Sequence, residues 1–406
     1  MKLEPIITTP LETDAYKINM LQVIFSQFSN DRTIWAFKCR NKNVKFTAEM
    51  IDEIKDQIDC YCRLSFADDE IEYLRNAFTW LKPNFLDFLR LWHPWRNEIF
   101  INEGDAQSYN DCGLAIECRG PQLDVTMYEI PILAIVNEVY FAFKYGGGAK
   151  NEEFKRRTTA KFEALKRGEY DIGAFSEFGL RRRYSKEMQD WLVNYIVSEG
   201  IPGFVGTSNV HLAKKYGVKA VGTMAHEMFQ LMQGHHEYNP AYSNMLVMKA
   251  WVKEYQTDNG IALTDAITTD CFLKDFNKTY ATLFNGVRHD SGDPIAWGEK
   301  MLAHFRMLGV DPKTKTLLFS DSLNFDKATG IKRYFENRCK VAFGIGTYLS
   351  NPLDDPLNIV HKMVECNGTP VAKLSDVEGK NMCRDEEYIS YLRRCIDWRL
   401  AHESGL

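Results

Sequence analysis

The stretch Gly286-Val-Arg-His-Asp-Ser-Gly-Asp-Pro294 decides the fold of this chain, because a short apolar run there ends in a polar turn and leads into a helical pattern. The segment Thr316-Leu-Leu-Phe-Ser-Asp-Ser322 repeats the arrangement one unit later. Strands that end in polar turns and lead into helices are typical of a parallel sheet with right-handed crossovers. These two segments therefore predict an α/β structure for the second half of the chain.

The same pattern recurs along the chain from about Asp171. Short apolar runs each end in a Gly, Ser, Thr or Asp cluster, and a helical stretch usually follows. The number of such units favours an irregular, TIM-like α/β barrel, in which the chemistry lies on the loops after the strands. An open doubly wound sheet is the alternative. The predicted strands are Ile172–Ser176, Gly203–Gly206, Lys219–Gly222, Ile261–Thr264, Gly286–His289, Thr316–Phe319 and Val341–Phe343.

The remaining segments are predicted to form a second unit. Residues 1–135 are expected to be an N-terminal α/β domain, and residues 136–357 the barrel. Residues 358–406 are expected to fold back onto the first domain, with a hairpin over Asn358–Asp376 that turns at Asn367-Gly368 and a helix over Asp385–Arg399. The other predicted elements are strands over Thr33–Cys39, Ala115–Arg119 and Leu123–Tyr128, a turn at Gly120-Pro121, and helices over Ala48–Cys62, Asp68–Leu81 and Asn84–Trp92.

Composition and charge exclude several classes of protein. With 406 residues, 45% of them hydrophobic, the chain can bury a large core. A net charge of −5 lacks the basic footprint of a nucleic-acid-binding protein, although a local basic cluster can still bind a small polyanion. The ten cysteines form no Cys-x-x-Cys pair, which is typical of a protein in a reducing cytoplasm. Their spacing does not match a zinc-binding motif.

No segment has the pattern of a membrane anchor. Met1–Pro10 lacks the apolar core of a signal peptide. The most apolar long stretch, Ile130–Phe143, contains Asn137 and Glu138 and is too short to span a bilayer, so it is predicted to be a buried helix. The sequence predicts a cytoplasmic protein with neither a membrane nor a nucleic acid as partner.

Three predicted loops carry groups suited to phosphate and ribose. The two glycines of Phe343–Thr347 allow backbone N–H groups to approach an anion, although such loops are usually tight turns. The segment Arg288–Pro294 offers an arginine for phosphate oxygens and Asp290 for a sugar diol, and the alternative is an Asp-capped helix that opens at Pro294. Ser320-Asp321-Ser322 follows the next strand and offers similar polar groups for phosphate and ribose, and the alternative is a helix N-cap.

Two further segments carry candidate reactive or binding groups. In Arg181-Arg182-Arg183 at least one side chain is expected to face an anion, and the others can be solvated; Phe178 beside them can stack on a flat ring or pack in the core. His226 joins a strand to a helix predicted over Glu227–Gln233, where an imidazole nitrogen could attack the γ-phosphate of ATP. The alternative for His226 is a hydrogen-bonded structural role. His235 and His236 are predicted to lie at the surface without forming a metal pair.

Taken together, these segments resemble the nicotinate phosphoribosyltransferases of the type II phosphoribosyltransferase superfamily. The resemblance covers essentially the whole chain, and the order and spacing of its motifs are specific. The motifs are Thr13–Lys17, Phe37–Lys42, Glu177–Arg183, Gly206–Asn209, Gly222–Glu227, Arg288–Pro294, Phe343–Thr347 and Val364–Gly368.

The resemblance implies a reaction in which nicotinate and 5-phosphoribosyl 1-pyrophosphate give nicotinate mononucleotide and pyrophosphate, a salvage step toward NAD. ATP is hydrolysed alongside through an enzyme phosphohistidine, which the resemblance assigns to His226, with Asp265 as the carboxylate that orients it. Mg²⁺ is implied on the pyrophosphate, with no direct protein ligand, and a homodimer is possible. The substrate-binding residues implied are Tyr16, Arg40, Phe178, Arg181, Ser208, Thr223, Arg288, Asp290, Asp321, Gly346 and Thr347.

One position bears on the choice of pyridine substrate. The related nicotinamide phosphoribosyltransferases carry an Asp where this chain has Ser208, and an Asp would repel the carboxylate of nicotinate. Ser208 therefore favours nicotinate, with nicotinamide and quinolinate as alternative substrates and a non-catalytic nucleotide-binding regulator as the alternative class. Many relatives have Thr where this chain has Leu180, which puts a polar contact at that position in doubt.

Overall fold

The structure, a computed structural model, describes residues 2–102, 112–374 and 382–403. Its strands are β1 (Arg32–Cys39), β2 (Ile99–Ile101), β3 (Ile116–Pro121), β4 (Ala174–Glu177), β5 (Phe204–Thr207), β6 (Lys219–Ala220), β7 (Ile261–Leu263), β8 (Gly286–His289), β9 (Thr316–Phe319), β10 (Lys340–Ile345), β11 (Ile359–Cys366) and β12 (Thr369–Pro370).

The helices alternate with these strands over most of the chain. They are α1 (Ala15–Gln27), α2 (Ala48–Tyr61), α3 (Asp68–Ala77), α4 (Pro83–Leu91), α5 (Gln122–Val125), α6 (Glu129–Tyr145), α7 (Asn151–Lys166), α8 (Lys186–Ser198), α9 (Val210–Tyr216), α10 (His226–Gln233), α11 (Ser243–Tyr255), α12 (Thr269–Asp275), α13 (Lys278–Leu283), α14 (Pro294–Met307), α15 (Phe325–Phe335), α16 (Thr347–Ser350) and α17 (Glu386–His402).

Seven strands form a curled parallel sheet in the order β6-β5-β4-β10-β9-β8-β7. Within the described residues no strand ladder joins β6 to β7, so the barrel is incomplete. At this gap the Thr223 hydroxyl donates to the carbonyl of Ile261, 2.9 Å away. The predicted irregular α/β barrel is confirmed. Two of the predicted strands have the observed bounds, and the others overlap the observed strands with shifted ends.

The second sheet is antiparallel in the order β12-β11-β1-β3-β2, so strands from both ends of the chain pair in it. β1 lies between β3 and β11 and carries the buried Trp35 and Phe37. The β11–β12 hairpin turns at Asn367 and Gly368, with φ of 51° and 78°, as a type I′ turn requires. The last two residues of the hairpin segment predicted from the sequence, 375 and 376, lie outside the described residues.

One predicted strand and one predicted turn are wrong. Gly120 and Pro121 belong to β3, and the segment predicted as a strand over Leu123–Tyr128 begins inside the short helix α5. Pro121 has no N–H to continue the ladder, so the strand ends there and the chain turns. The apolar Val125 and Met127 are buried from the short helix α5 and the turn that follows it, and not from a strand.

The helices that frame the barrel are mostly half-buried, but α6 is buried almost throughout. It contains the apolar stretch predicted as a buried helix, and Asn137 inside it donates to the carbonyl of Arg183. Among the described residues no helix is both long and apolar enough to cross a bilayer. At the other end of the chain α17 packs Leu392 and Ile396 beside Ala241 in a small separate core.

Candidate active site

A cavity of about 440 Å³ lies at the carboxyl ends of the barrel strands, and side chains from α1 and β11 close it. Most of the predicted site residues line this cavity. Those that do are Tyr16, Arg40, Phe178, Arg181, Ser208, His226, Arg288, Asp290, Asp321, Gly346 and Thr347. Asp265 lies behind His226 instead, and Thr223 uses its hydroxyl at the gap between β6 and β7.

Two aromatic rings line the cavity where a flat ring could bind. Tyr16 and Phe178 are both half-buried, and Phe178 is fixed by its backbone N–H, which donates to the Ile345 carbonyl at 2.9 Å. A Cβ on Gly344 would lie 2.5 Å from the Phe178 ring, so only glycine leaves room for that ring. Tyr16 reaches the cavity of its own chain.

Ser208 contributes to the same wall, but its hydroxyl already has a partner. It donates to the Asp14 carboxylate at 2.6 Å. A carboxyl group therefore does lie beside this position, although residue 208 is not an Asp. Burial raises the pKa of Asp14, although the Ser208 hydrogen bond opposes that shift, so a protonated Asp14 becomes accessible at less acidic pH. Ser208 therefore does not by itself free this wall of the cavity from a carboxyl group, because Asp14 supplies one.

The arginine run separates into three different environments. Arg181 lines the cavity and lies 3.6 Å from Glu129, and Arg182 also lines it while donating to the Ile359 carbonyl at 2.9 Å. Arg183 points away and is buried in an ion pair with Glu12 at 2.9 Å. Since the run curls through a 3₁₀ turn, successive side chains diverge. Arg183 is therefore an arginine that faces an anion, but the anion is the buried carboxylate of Glu12 and not a group in the cavity.

His226 is the first residue of α10 and is almost fully buried. Its Nε2 lies 3.0 Å from Asp265 Oδ1, and Asp265 in turn accepts from the Ser291 hydroxyl at 2.6 Å. Burial and the positive charge of Lys373 lower the pKa of His226 to about 4, although Asp265 opposes them. The ring is therefore neutral at physiological pH and can act as a nucleophile.

Arg288 and Asp290 extend from the end of β8 into the cavity as a hydrogen-bonded pair. Arg288 Nη2 lies 3.1 Å from Asp290 Oδ1, and the Ser320 hydroxyl donates to the same oxygen at 2.9 Å. Burial alone would raise the pKa of Asp290, but Arg288 and neighbouring groups hold it well below its usual range. Asp290 is therefore an ionised acceptor beside a cation, an arrangement suited to a sugar phosphate.

The helix-cap alternatives have different outcomes in the two loops. Asp293 does cap α14, accepting from Ala296 N at 2.7 Å, while Asp290 in the same segment faces the cavity. The second loop does not cap a helix, because α15 takes its cap from Asn324. Asp321 is left at the cavity wall instead. Gly346 and Thr347 lie at the start of α16, where a Cβ on Gly346 would be 3.1 Å from the Phe178 carbonyl.

The cavity is positively charged although the whole chain is acidic. Its wall carries six Lys and Arg side chains and three Asp side chains, a surplus of three positive charges with His226 neutral. Burial lowers the pKa of Lys362 to about 8, although Glu129 opposes that shift. Such a surplus in a partly enclosed cavity attracts a polyanion.

Two family models match the chain. A nicotinate phosphoribosyltransferase (NAPRTase) N-terminal domain matches residues 11–137, and the nicotinate phosphoribosyltransferase (NAPRTase) family matches residues 174–398. The chain belongs to the nicotinate phosphoribosyltransferase family. Each of the two sheets lies mainly within the region covered by one model, with β11 and β12 as the exceptions.

Relatives in this family are similar in sequence to the chain over nearly its full length. It is 42% identical to a nicotinate phosphoribosyltransferase of Chromobacterium violaceum, covering 97% of this chain and 98% of the other. A second one, from Ralstonia pickettii, is 43% identical over 96% and 98% of the two chains. Among solved structures, the nicotinate phosphoribosyltransferase of Vibrio cholerae superposes with a TM-score of 0.88 at 34% identity over 97% and 94%. That of Porphyromonas gingivalis gives 0.87 at 34% identity, over 96% and 100%.

Some cavity residues of this family member were missed by the sequence analysis. Lys362 on β11 could have been found, because it alternates with the buried His361 and therefore lies on the same face as Val360, which also lines the cavity. Lys373 follows β12, and the residues around it form no sequence pattern that indicates a site. Only the fold brings its amine within 3.4 Å of Asp265. Asp14 went unnoticed because its role depends on contact with a distant strand end.

Proposed function

We propose that the chain transfers the phosphoribosyl group of 5-phosphoribosyl 1-pyrophosphate to nicotinate and couples this transfer to ATP hydrolysis through a phosphorylated His226. The balanced reaction converts nicotinate, 5-phosphoribosyl 1-pyrophosphate, ATP and water into nicotinate mononucleotide, pyrophosphate, ADP and phosphate. One observation carries the proposal: two aromatic rings, a cationic wall and a neutral, carboxylate-paired histidine line the same cavity.

In the bond-forming step the ring nitrogen of nicotinate attacks C1 of the ribose while the C1–O bond to pyrophosphate breaks. The nitrogen is already unprotonated, so no general base is required. The work of the protein is to orient the two substrates and to neutralise the charge that develops on the leaving group. We assign the ring to the Tyr16 and Phe178 walls, the pyrophosphate to Arg40 and Arg181, and the ribose and its 5-phosphate to the loops after β8, β9 and β10.

Recognition of the nicotinate carboxylate would involve the pair formed by Ser208 and Asp14. A carboxylate close to an ionised Asp14 would be repelled, whereas a protonated Asp14 could donate a hydrogen bond to it. The raised pKa of Asp14 moves it toward that protonated form. An assay that offers nicotinate, nicotinamide and quinolinate separately tests this assignment, with nicotinate as the expected substrate.

The phosphoryl step follows from the contacts of His226. Asp265 accepts from Nε2–H, which leaves the lone pair on Nδ1 to attack the γ-phosphorus of ATP as the bond to the β-phosphate oxygen breaks. Lys373, on the same cavity wall, would stabilise the negative charge of the phosphorylated ring. Phosphorylation would favour a tight-binding state, and hydrolysis of the phosphohistidine would reset it.

Mg²⁺ fits this scheme best on the pyrophosphate and ATP oxygens. Ligand atoms of His226, Asp265 and Asp290 do lie within 4.8 Å of one another. Both oxygens of Asp265 are already engaged, by His226 and by Ser291, and Asp290 is paired with Arg288. When bound, the ion would supply charge neutralisation to the leaving group.

Replacing the histidine tests the proposal. His226→Asn should retain slow synthesis of nicotinate mononucleotide without ATP and lose the stimulation by ATP, because the fold and the other walls of the cavity are kept. His235→Asn is the matched control, since His235 pairs with Asp31 away from the cavity. Full ATP stimulation in His226→Asn would remove this residue from the mechanism, and absence of product from every pyridine would overturn the transfer itself.

A further inference from the structure

A cluster of buried charges lies behind the wall of the active-site cavity. Lys17, Glu129 and Glu227 have side chains that are 0%, 1% and 3% exposed. The Lys17 amine contacts Glu129 Oε2 at 2.7 Å and also Glu227 Oε2. None of the three lines the cavity. Because buried ion pairs add little net stability over apolar packing, such a cluster calls for a functional explanation.

One branch of the cluster leads to the phosphorylatable histidine. Glu227 follows His226 at the start of α10, and Lys17 follows Tyr16 at the start of α1. Tyr16 and His226 line the cavity, while the next residue of each helix points behind the wall into the ion pair. The Lys17–Glu227 contact therefore joins the first turns of the two helices that carry these cavity residues.

The other branch leads to the cations of the cavity. The second oxygen of Glu129, Oε1, lies 3.2 Å from Lys362 and 3.6 Å from Arg181. Both cations line the cavity, and Glu129 touches neither the cavity nor solvent. A single carboxylate thus holds two cavity cations on one side and Lys17 on the other.

The central amine is held as a cation. Burial alone would lower the pKa of Lys17, but the two carboxylates outweigh burial and raise it. Its amine also lies 4.7 Å from the centre of the Trp35 ring, which favours a charged group. The two carboxylates lie on α6 and α10, so the amine of Lys17 joins these helices to α1.

We propose that Lys17 is a positioning residue that connects the two halves of the site, acting through Glu227 on His226 and through Glu129 on Arg181 and Lys362. The branch through Glu227 rests on the proposed phosphorylation of His226, whereas the branch through Glu129 rests only on binding of an anionic substrate. The two branches can therefore be tested separately.

The experiment compares three single variants of the full-length protein. Glu129→Gln should raise the KM for 5-phosphoribosyl 1-pyrophosphate about tenfold or more, because Arg181 and Lys362 lose their anchor, and it should leave transfer of label from γ-labelled ATP to His226 within about twofold. Glu227→Gln should give the reverse pattern. Lys17→Met should show both defects, since it serves both branches.

Two further proteins separate positioning from loss of stability. The double variant Lys17→Met/Glu227→Gln removes one positive and one negative charge, so it keeps the net charge of the cluster, and it replaces Lys17→Met if that protein does not fold. It should show both defects as well. The matched control is Arg399→Met/Asp275→Asn, which removes a similarly buried ion pair between α17 and α12. The control should lower the melting temperature and leave both readouts unchanged.

Each remaining outcome has a definite meaning. Equal loss of kcat in all variants and in the control, with KM and label transfer unchanged, would reduce Lys17 to a structural residue. If the wild-type protein takes no label from ATP, the phosphohistidine proposal fails. The role of Lys17 is then decided by the KM alone, which should rise in Lys17→Met and Glu129→Gln but not in Glu227→Gln.

Discussion

His226 is almost fully buried and His235 is half-buried, but their surroundings shift the pKa of the two rings in opposite directions. Burial and Lys373 lower the pKa of His226 to about 4. A hydrogen bond to Asp31 raises the pKa of His235, although burial opposes it. A lowered pKa means that the ring stays neutral until the solution is strongly acidic, and a raised pKa means that the ring gains its proton at higher pH.

The two histidines should therefore titrate in a fixed order. As the pH of the free protein falls from 8 toward 4, the ring signal of His235 should move first, and that of His226 should move last, near pH 4. NMR spectra of protein labelled at histidine, assigned with His226→Asn and His235→Asn, measure this order. A midpoint for His226 at or above that of a free imidazole would contradict the assignment of a neutral nucleophile.

At the scale of single elements, the contact between β10 and the turn after β4 shapes the ring slot, the part of the cavity lined by Tyr16 and Phe178. Gly344 on β10 leaves space for the Phe178 ring, and a Cβ there would lie 2.5 Å from it. Gly344→Ala should push the ring into the slot and raise the KM for nicotinate about tenfold, with less effect on the KM for 5-phosphoribosyl 1-pyrophosphate.

A second glycine provides the control for that substitution. Gly330 lies inside α15 with open space around its Cα, so Gly330→Ala should leave both KM values unchanged and stabilise the fold by about 1 kcal/mol. Steady-state kinetics and thermal unfolding of both variants test the pair. Unchanged affinity for nicotinate in Gly344→Ala would show that the ring slot lies elsewhere.

The elements also show what could be read from the sequence. The strands of the barrel were recognisable because each combines an apolar run with a polar turn, and both features are local. Leu123–Tyr128 was misread because Pro121 ends β3 at a point where local alternation continues. Lys373 and Asp14 could not be recognised, because their roles depend on contacts with distant residues, Asp265 and Ser208.

At the scale of the whole molecule, one chain supplies every described wall of the cavity. Tyr16 comes from α1, Lys362 from β11 and His226 from α10, and all three meet in the same cavity. β11 also pairs with β1, so the tail completes the antiparallel sheet and contributes to the site at once. We therefore expect the site to work without residues from a second copy of the chain.

Mixing two variants that each lack one cavity side chain tests this expectation. When Tyr16→Ala and His226→Ala proteins are combined, the ATP-stimulated rate should equal the average of the two measured alone, because no cavity can borrow the missing group. Recovery well above that average would indicate that Tyr16 reaches into a partner's site. Wild-type protein supplies the reference rate, and its specific activity should not fall on dilution.

The most direct test of the account asks whether His226 accepts phosphate. The purified protein is incubated with γ-labelled ATP, and the site of labelling is identified by peptide mapping. The account predicts a phosphate that is labile in acid and stable in base, located on His226, and absent from His226→Asn. Label on another residue, or none on wild-type protein that makes nicotinate mononucleotide with ATP stimulation, would contradict it.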